Sequence, residues 1–150
     1  MTEPSPTADT PSAATLAAEL RISLGKLIRR LREQTHPDDF TTAQKSVLLR
    51  LDRDGPTTVS ALARAESVRP QSMRITVAGL EAMQAVSGKP DPSDGRQTLI
   101  ELTPALRKHL TQSRAAKDDW LLHALQEQLS PQEQHELAAA VKLLERLADF

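Results

Sequence analysis

Four polar residues near the middle of the chain have the types and spacing that suit hydrogen bonding to nucleic-acid bases. They are Arg69, Gln71, Ser72 and Arg74. An arginine can donate two hydrogen bonds to the edge of guanine, and a glutamine can pair in the same way with adenine. Serine and arginine also bind phosphate oxygens. These residue types indicate a surface that reads double-stranded DNA, provided that one rigid element presents them together.

Other residues were weighed for catalysis and metal binding. Asp119 and His123 are spaced like two ligands on one turn of a helix, but no further ligand is suggested nearby, and a surface pair is the favoured interpretation. Ser60 and Ser72 lack the glycines of a nucleophile elbow. The chain has no cysteine, which excludes disulfides, thiolate metal sites and thiol nucleophiles. We therefore expect no enzymatic activity, no metal and no cofactor.

Two closely spaced helices should present the polar residues. The first is predicted at 58–65, a polar turn follows at 66–67, and the second begins at Pro70 and ends near Ala85. Proline suits the first helical position because its missing N–H would be unbonded there. Helical spacing turns Met73, Val77 and Leu80 inward. The opposite face of this second helix then points outward and is mostly polar, which is the arrangement of a helix-turn-helix. That face consists of Gln71, Ser72, Arg74, Ile75 and Ala78.

A β-hairpin is predicted directly after these helices. Two extended runs, 86–90 and 97–102, flank a polar segment that contains Asp94–Gly95. Asp-Gly is typical of a tight hairpin turn that requires positive φ, so we expect that conformation at Gly95. Arg96 follows the turn and would reach the minor groove or its phosphates. A helix-turn-helix followed by a hairpin is a winged helix.

Further helices are predicted on both sides of this region. An apolar stripe marks a helix within 13–35, and Thr41 with Gln44 forms a capping box for a helix that ends at Gly55. That second helix is expected to bury Ala43, Val47, Leu48 and Leu51. After the hairpin, a long helix is expected to end near Gln128, and a second capping box, Ser130 with Glu133, opens a last helix. Trp120 on the long helix is expected in the core, and the alternative is a ligand cavity between that helix and the dimer helices.

The first and last helices carry more apolar surface than one small domain can cover. Leaving it in water would be costly, because apolar burial contributes about 25 cal/mol per Å², and such surfaces aggregate. We therefore predict a homodimer built from the helices in 13–35 and 104–150. The residues expected in the interface include Leu16, Leu20, Leu137, Val141, Leu144 and Leu147.

Composition limits the remaining possibilities. The formal net charge is −1, so any DNA-binding surface must be local. Residues 1–12 are rich in Pro, Ser and Thr and are predicted to be a disordered tail, which leaves 13–150 as one domain. No apolar run is long enough to span a membrane, and the amino-terminal segment lacks the apolar core of a secretory signal. We expect a cytoplasmic protein.

The ordered motifs from Leu62 to Thr103 resemble the MarR-type winged helix-turn-helix transcriptional regulators. The matching motifs are Leu62–Ala63, Leu80–Glu81, Val86, Asp91–Pro92–Ser93–Asp94, Arg96 and Leu102–Thr103. Four positions differ from the usual family pattern. Gln84 replaces a glycine, Gly88 a basic residue, Gly95 the first of two arginines, and Leu106 a common glycine. Two of these differences remove positive charge from the wing.

The resemblance implies a mainly α fold of about six helices with a small β-hairpin wing. It also implies dimerisation through the terminal helices and DNA binding at 41–102, with Asp94 steadying the wing and Arg96 facing DNA. Family members usually repress transcription at a palindromic operator and are released by a small, often phenolic, ligand. The alternative hypothesis, favoured by Gly88 and Gly95, is a winged-helix dimer that has lost DNA binding and acts as a protein-interaction module.

Overall fold

The computed structural model describes residues 11–35 and 38–150, which form six helices and two strands. In chain order the elements are α1 (Ala13–Arg32), α2 (Thr42–Asp54), α3 (Val59–Ala65), α4 (Pro70–Ala82), β1 (Val86–Pro90), β2 (Thr98–Leu102), α5 (Pro104–Gln128) and α6 (Pro131–Ala148). Within these residues there are two compact units: a winged-helix unit, residues 38–115, and a helical unit, residues 11–35 with 116–150. The predicted mainly α fold with a β-hairpin wing is confirmed.

The capping box of α2 forms as predicted. The Thr41 hydroxyl accepts from the Gln44 backbone N–H, and the Gln44 side-chain oxygen accepts from the Thr41 N–H at 2.9 Å. The helix ends at Gly55, whose φ of +84° favours glycine. Val47, Leu48 and Leu51 are buried. Ala43 is exposed, contrary to prediction, because it lies in the first turn of α2, ahead of the residues that reach the core.

The helix-turn-helix is formed by α3 and α4. The Thr58 hydroxyl caps α3 by accepting from the Ala61 N–H at 3.1 Å. The turn passes through Ser67 at φ +55°, and α4 begins at Pro70. The helix ends at Ala82 rather than near Ala85, since Gln84 adopts φ +56°, a left-handed conformation in which a right-handed helix cannot continue.

The core of the winged-helix unit confirms the inward face predicted for α4. Met73, Val77 and Leu80 are buried from α4, and Ile100 and Leu102 are buried from β2. They join the buried residues of α2 and α3 and the first turn of α5 in one apolar cluster. The polar side chains of α4 are left outside it.

The wing is a two-stranded antiparallel sheet. Val86 is paired with Leu102 and Gly88 with Ile100. A segment that the sequence did not predict as a strand extends the pairing, because Thr57 exchanges two backbone hydrogen bonds with Ile100, at 3.1 and 2.7 Å. The wing is therefore anchored to the residue that precedes the cap of α3.

Thr103 connects the end of α4, the wing and the start of α5. Its hydroxyl donates to the Gln84 carbonyl at 2.7 Å and accepts from the Leu106 N–H at 3.2 Å. Its backbone N–H donates to the Ala85 carbonyl at 3.1 Å. Leu106, the residue found in place of a family glycine, is buried in the core of the winged-helix unit.

The helical unit contains α1, the distal half of α5, and α6. Ser12 caps α1, and the capping box of Ser130 and Glu133 forms as predicted at α6. Neither α1 nor α6 has a buried residue in the single chain. Trp120 is half-buried, and the Arg30 guanidinium lies over it, 5.8 Å from the centre of the Trp120 ring. The prediction that Trp120 lies in the buried core is therefore wrong for the single chain.

Two sequence predictions fall at least partly outside the residues that the structure describes. The predicted disordered tail, 1–12, lies outside the described residues except for its last two positions, and so do two residues of the predicted break after α1, His36 and Pro37. Across 11–35 and 38–150, no helix is long and apolar enough to cross a membrane.

Candidate nucleic-acid interface

The exposed face of α4 carries the polar residues selected from the sequence. Gln71, Ser72 and Arg74 are all exposed, as expected from their position opposite the buried face. Arg69 precedes the helix as its N-cap residue and makes no capping hydrogen bond with its side chain. It is exposed as well, so its guanidinium can reach a ligand in front of the helix.

A partly buried ion pair holds the turn that leads into α4. Glu66, at the end of α3, accepts hydrogen bonds from Arg50 Nε at 2.7 Å and from Ser46 Oγ at 2.8 Å. The hydrogen bond from Arg50, and next that from Ser46, lowers the pKa of the Glu66 carboxyl below its ordinary value. α2 thus holds the carboxylate that immediately precedes the left-handed Ser67.

The tip of the wing is organised by Asp94. One carboxylate oxygen, Oδ1, accepts from the Arg96 backbone N–H at 3.1 Å and from Arg96 Nε at 3.2 Å. The Gln97 N–H donates to the Asp94 carbonyl at 2.9 Å and closes the turn. The Arg96 side chain is 92% exposed, so it extends from the tip despite its ion pair with Asp94.

The expectation of positive φ at Gly95 is wrong. Gly55 is the only glycine of the described chain with positive φ. The strands are joined by a longer loop, residues 91–97, rather than by the two-residue turn that the Asp-Gly signal predicts, and the hydrogen bond from the Gln97 N–H to the Asp94 carbonyl closes a β-turn with Gly95 and Arg96 at its centre. A Cβ atom at Gly95 would have nothing within 4 Å. A larger side chain therefore fits at this position.

The situation at Gly88 is the opposite. A Cβ atom there would lie 2.8 Å from Thr98 Cγ2, on the paired strand. A side chain at position 88 would therefore require Thr98 to move. The neighbouring Lys89 binds Glu101 across the wing at 2.8 Å, which neutralises much of its charge.

An open cleft of about 600 Å³ lies between α3, the start of α4 and the loop end of the wing. Arg64 and Arg74 both line it, together with the α3 cap, the first residue of β2 and the last residue of the wing loop. Arg74 was predicted from the sequence to contact DNA, whereas Arg64, which is exposed near the end of α3, was not. The sequence signal that could have identified Arg64 was a basic residue just before the predicted turn of the helix-turn-helix. The remaining lining residues are Thr58, Val59, Ser60, Gln97 and Thr98.

Of the selected residues, the structure brings only Arg74 into this cleft. Ser72 lines a different cavity, of about 180 Å³, beside Met73 and Glu66. Asp119 and His123 are exposed on α5. Within the described part of the chain, no group of three or more His, Cys, Asp or Glu residues could hold a metal ion.

Comparison with known proteins is consistent with this geometry. Residues 40–98 match the sequence profile of the MarR family. An HTH-type transcriptional regulator of Mycobacterium tuberculosis is 34% identical over 138 residues, which cover 92% of this chain and 96% of that protein. The crystal structure of a transcriptional regulator from Pseudomonas aeruginosa is 35% identical, with a TM-score of 0.80, and covers 94% of this chain and 99% of that one.

A more distant structure shares the fold. A MepR variant from S. aureus, bound to an oligodeoxyribonucleotide, has a TM-score of 0.66 at 22% identity and covers 89% of this chain and 98% of that one. The fold, the family profile and the full-length relatives agree with the resemblance of the motifs. The chain therefore belongs to the MarR family of winged helix-turn-helix transcriptional regulators, DNA-binding proteins and not enzymes.

Proposed function

We propose that this protein acts as a homodimer that binds a palindromic double-stranded DNA operator and represses transcription until a small ligand releases it. The observation that carries the proposal is the pairing of an exposed polar face on α4 with an exposed arginine at the tip of the wing. A rigid helix with short polar side chains can enter the major groove, while a wing beside it reaches the backbone or minor groove.

The proposed contacts divide into two kinds. Gln71 and Arg74 lie on the exposed face of α4 and would form hydrogen bonds with base edges. Arg69 and Ser72 are placed for bases or phosphates near the start of the helix, and Arg96 for phosphates or a narrow minor groove. Asp94 would serve indirectly, because it holds both the backbone and the side chain of Arg96.

A second copy of the chain is the proposed cover for the apolar surface of the helical unit. Leu16, Leu137, Val141 and Leu147 are all exposed in the single chain, and Leu20 and Leu144 are half-buried. Contiguous apolar surface of this kind usually marks an interface. A two-fold dimer would place two copies of α4 about 34–36 Å apart, one turn of B-DNA, and a palindromic operator has the same symmetry.

Repression and release by a ligand are proposed from family membership. A ligand that binds one arrangement of the two DNA-binding regions better than another would shift the dimer toward that arrangement. An arrangement with different spacing between the two α4 helices would no longer match the operator.

The alternative, a protein-interaction module without DNA affinity, has one supporting observation. Lys89 is paired with Glu101, and glycines stand at 88 and 95, so the wing presents little positive charge beyond Arg96. Titration of fluorescent duplexes from the region upstream of its own gene, by anisotropy at several salt concentrations, separates the two functions. Saturable binding that exceeds binding to a scrambled duplex supports the regulator, and its absence in a folded dimer supports the alternative.

A further inference from the structure

We infer that Ile75 contacts the 5-methyl group of a thymine, so that α4 selects a T·A pair at one position of each half-site. This inference rests on the proposed function, because it requires α4 to lie in the major groove. The sequence places Ile75 on the outer face of α4 but does not predict a role for it.

Ile75 is an unusually exposed apolar side chain. It is 68% exposed, although the neighbouring apolar residues of the same helix, Met73 and Val77, are buried. Single exposed apolar residues are common on protein surfaces, so exposure by itself indicates little. The position of Ile75 on the helix is the second part of the argument.

Ile75 lies on the line of α4 that projects farthest from the core. Gln71, Ile75 and Ala78 are four and three residues apart, the spacing of neighbours along one face of a helix. This line is opposite Met73, Val77 and Leu80, the residues that attach α4 to the core. Ala78 is small and allows close approach of another surface. Ile75 is thus the bulkiest apolar group that a base edge would meet.

The chemistry of the major groove leaves one suitable partner. The thymine methyl is the apolar group that base pairs expose there, and the other edges present hydrogen-bond donors and acceptors. An isoleucine placed over such a polar edge would remove it from water without a replacement hydrogen bond, which is unfavourable. The adjacent Thr76 offers no donor to such an edge, because its hydroxyl donates to the Ser72 carbonyl at 3.2 Å.

The test removes only the methyl group. Preferred duplexes are selected from a randomised library with the full-length protein, and each thymine is then replaced in turn by deoxyuridine. For the wild type, we expect one position in each half-site at which the replacement weakens binding about fourfold, the effect of burying one methyl group. Ile75→Ala should bind the thymine duplex more weakly and should show no further loss with deoxyuridine at that position.

Leu49→Ala is the matched control, because Leu49 is 57% exposed on α2 and undergoes the same truncation. It should keep the full deoxyuridine effect. The inference is overturned if no deoxyuridine weakens wild-type binding, or if Ile75→Ala, shown by circular dichroism to be folded, retains the same penalty. If the wild type selects no duplex at all, the proposed function fails, and the inference fails with it. Selective binding without a methyl effect overturns the inference alone.

Discussion

Arg50 and Glu66 form an ion pair across the helix-turn-helix, with Nε and Oε1 2.7 Å apart. Arg50 is on α2, and Glu66 is the C-cap residue of α3, so the pair joins two helices at the start of the turn. Ser46 completes the arrangement with a hydrogen bond to the other carboxylate oxygen at 2.8 Å. Both partners of the ion pair are largely shielded from solvent, which makes it stronger than an exposed pair.

Glu66→Gln should lower the free energy of unfolding by about 1–2 kcal/mol at neutral pH, since it removes a charge-assisted hydrogen bond. The pKa of Glu66 is lowered in the folded state. Its contribution is therefore complete above the ordinary glutamate pKa, about 4.3, and is lost as the pH falls through the lowered value. Urea unfolding of the wild type and of Glu66→Gln, from neutral to acidic pH, should show that the difference between their free energies of unfolding shrinks in acid.

The matched control for this experiment is Glu127→Gln, an exposed glutamate of α5. It should change the free energy of unfolding by less than about 0.5 kcal/mol at neutral pH. A difference between wild type and Glu66→Gln that stayed constant across the acidic range would contradict the role assigned to the ionised carboxylate.

Gly79 and Gln44 should be energetically coupled. A Cβ atom at Gly79 would lie 2.8 Å from Gln44 Nε2, and the Gln44 side chain is held by the α2 capping box. Gly79→Ala should stabilise the protein by about 1 kcal/mol in a Gln44→Ala background, through helix propensity. In the wild-type background most of that gain should disappear, because the cap is displaced. A double-mutant cycle in urea measures the coupling, and additive effects would refute it.

The two wing glycines should respond differently to a basic residue. A Cβ atom at Gly95 has no atom within 4 Å and the position has no positive φ, so Gly95→Arg should be tolerated, should tighten DNA binding and should steepen the salt dependence. Gly95→Ala, which adds the Cβ atom without charge, is the control and should leave affinity unchanged. Gly88→Arg should perturb the wing through Thr98 unless Thr98→Ala removes the contacting methyl. Anisotropy titrations over a salt series compare the four variants.

Arg74 and Arg96 should contribute to DNA binding in different ways. Arg74→Ala, on the exposed face of α4, should cost about 1–3 kcal/mol and relax preference at one position of each half-site. Arg96→Ala, at the wing tip, should weaken specific and non-specific binding together and reduce the salt slope by about one unit per lost phosphate contact. Lys142→Ala, exposed on α6, is the control. Unchanged affinity in both arginine variants would favour the protein-partner alternative.

The dimer prediction can be tested on the last helix. Leu144 and Leu147 lie one turn apart on α6, and Leu147 is 63% exposed in the single chain. Replacing both with Asp should give monomer or aggregate in sedimentation at micromolar protein, because charge would enter an apolar interface. Leu49→Asp places the same charge on an exposed leucine of α2 and should leave the dimer intact. A monomeric wild type would refute the prediction.

Much of the fold could be predicted because local signals determine it. Capping boxes at Thr41 and Ser130 marked the starts of α2 and α6, and proline at Pro70 marked the start of α4. The end of α4 was placed too late. A glutamine side chain does not favour φ +56°, a conformation that glycine adopts most easily, so the residue type of Gln84 did not indicate the end of the helix. The available signal was its position, where the family pattern usually has glycine.

The parts of the site that depend on distant residues could not be predicted. Arg50 and Glu66 are joined only after α2 packs beside the turn, and Arg64 and Arg74 line one cleft only after α3 and α4 have packed together. The deviation at Gly95 has a related cause, because hydrogen bonds from Gln97 and Arg96 to Asp94 shape the loop more strongly than the two-residue signal suggests.

Thr103 makes the first turn of α5 and the carboxyl end of α4 parts of one mechanical linkage. A single hydroxyl bonds Gln84, just past α4, and Leu106, inside α5, and the neighbouring backbone N–H holds Ala85. If these bonds stay intact, a shift or rotation of α5 at this point must also displace the end of α4. The positions of the end of α4 and of the first turn of α5 are therefore coupled through the side chain and the backbone N–H of one threonine.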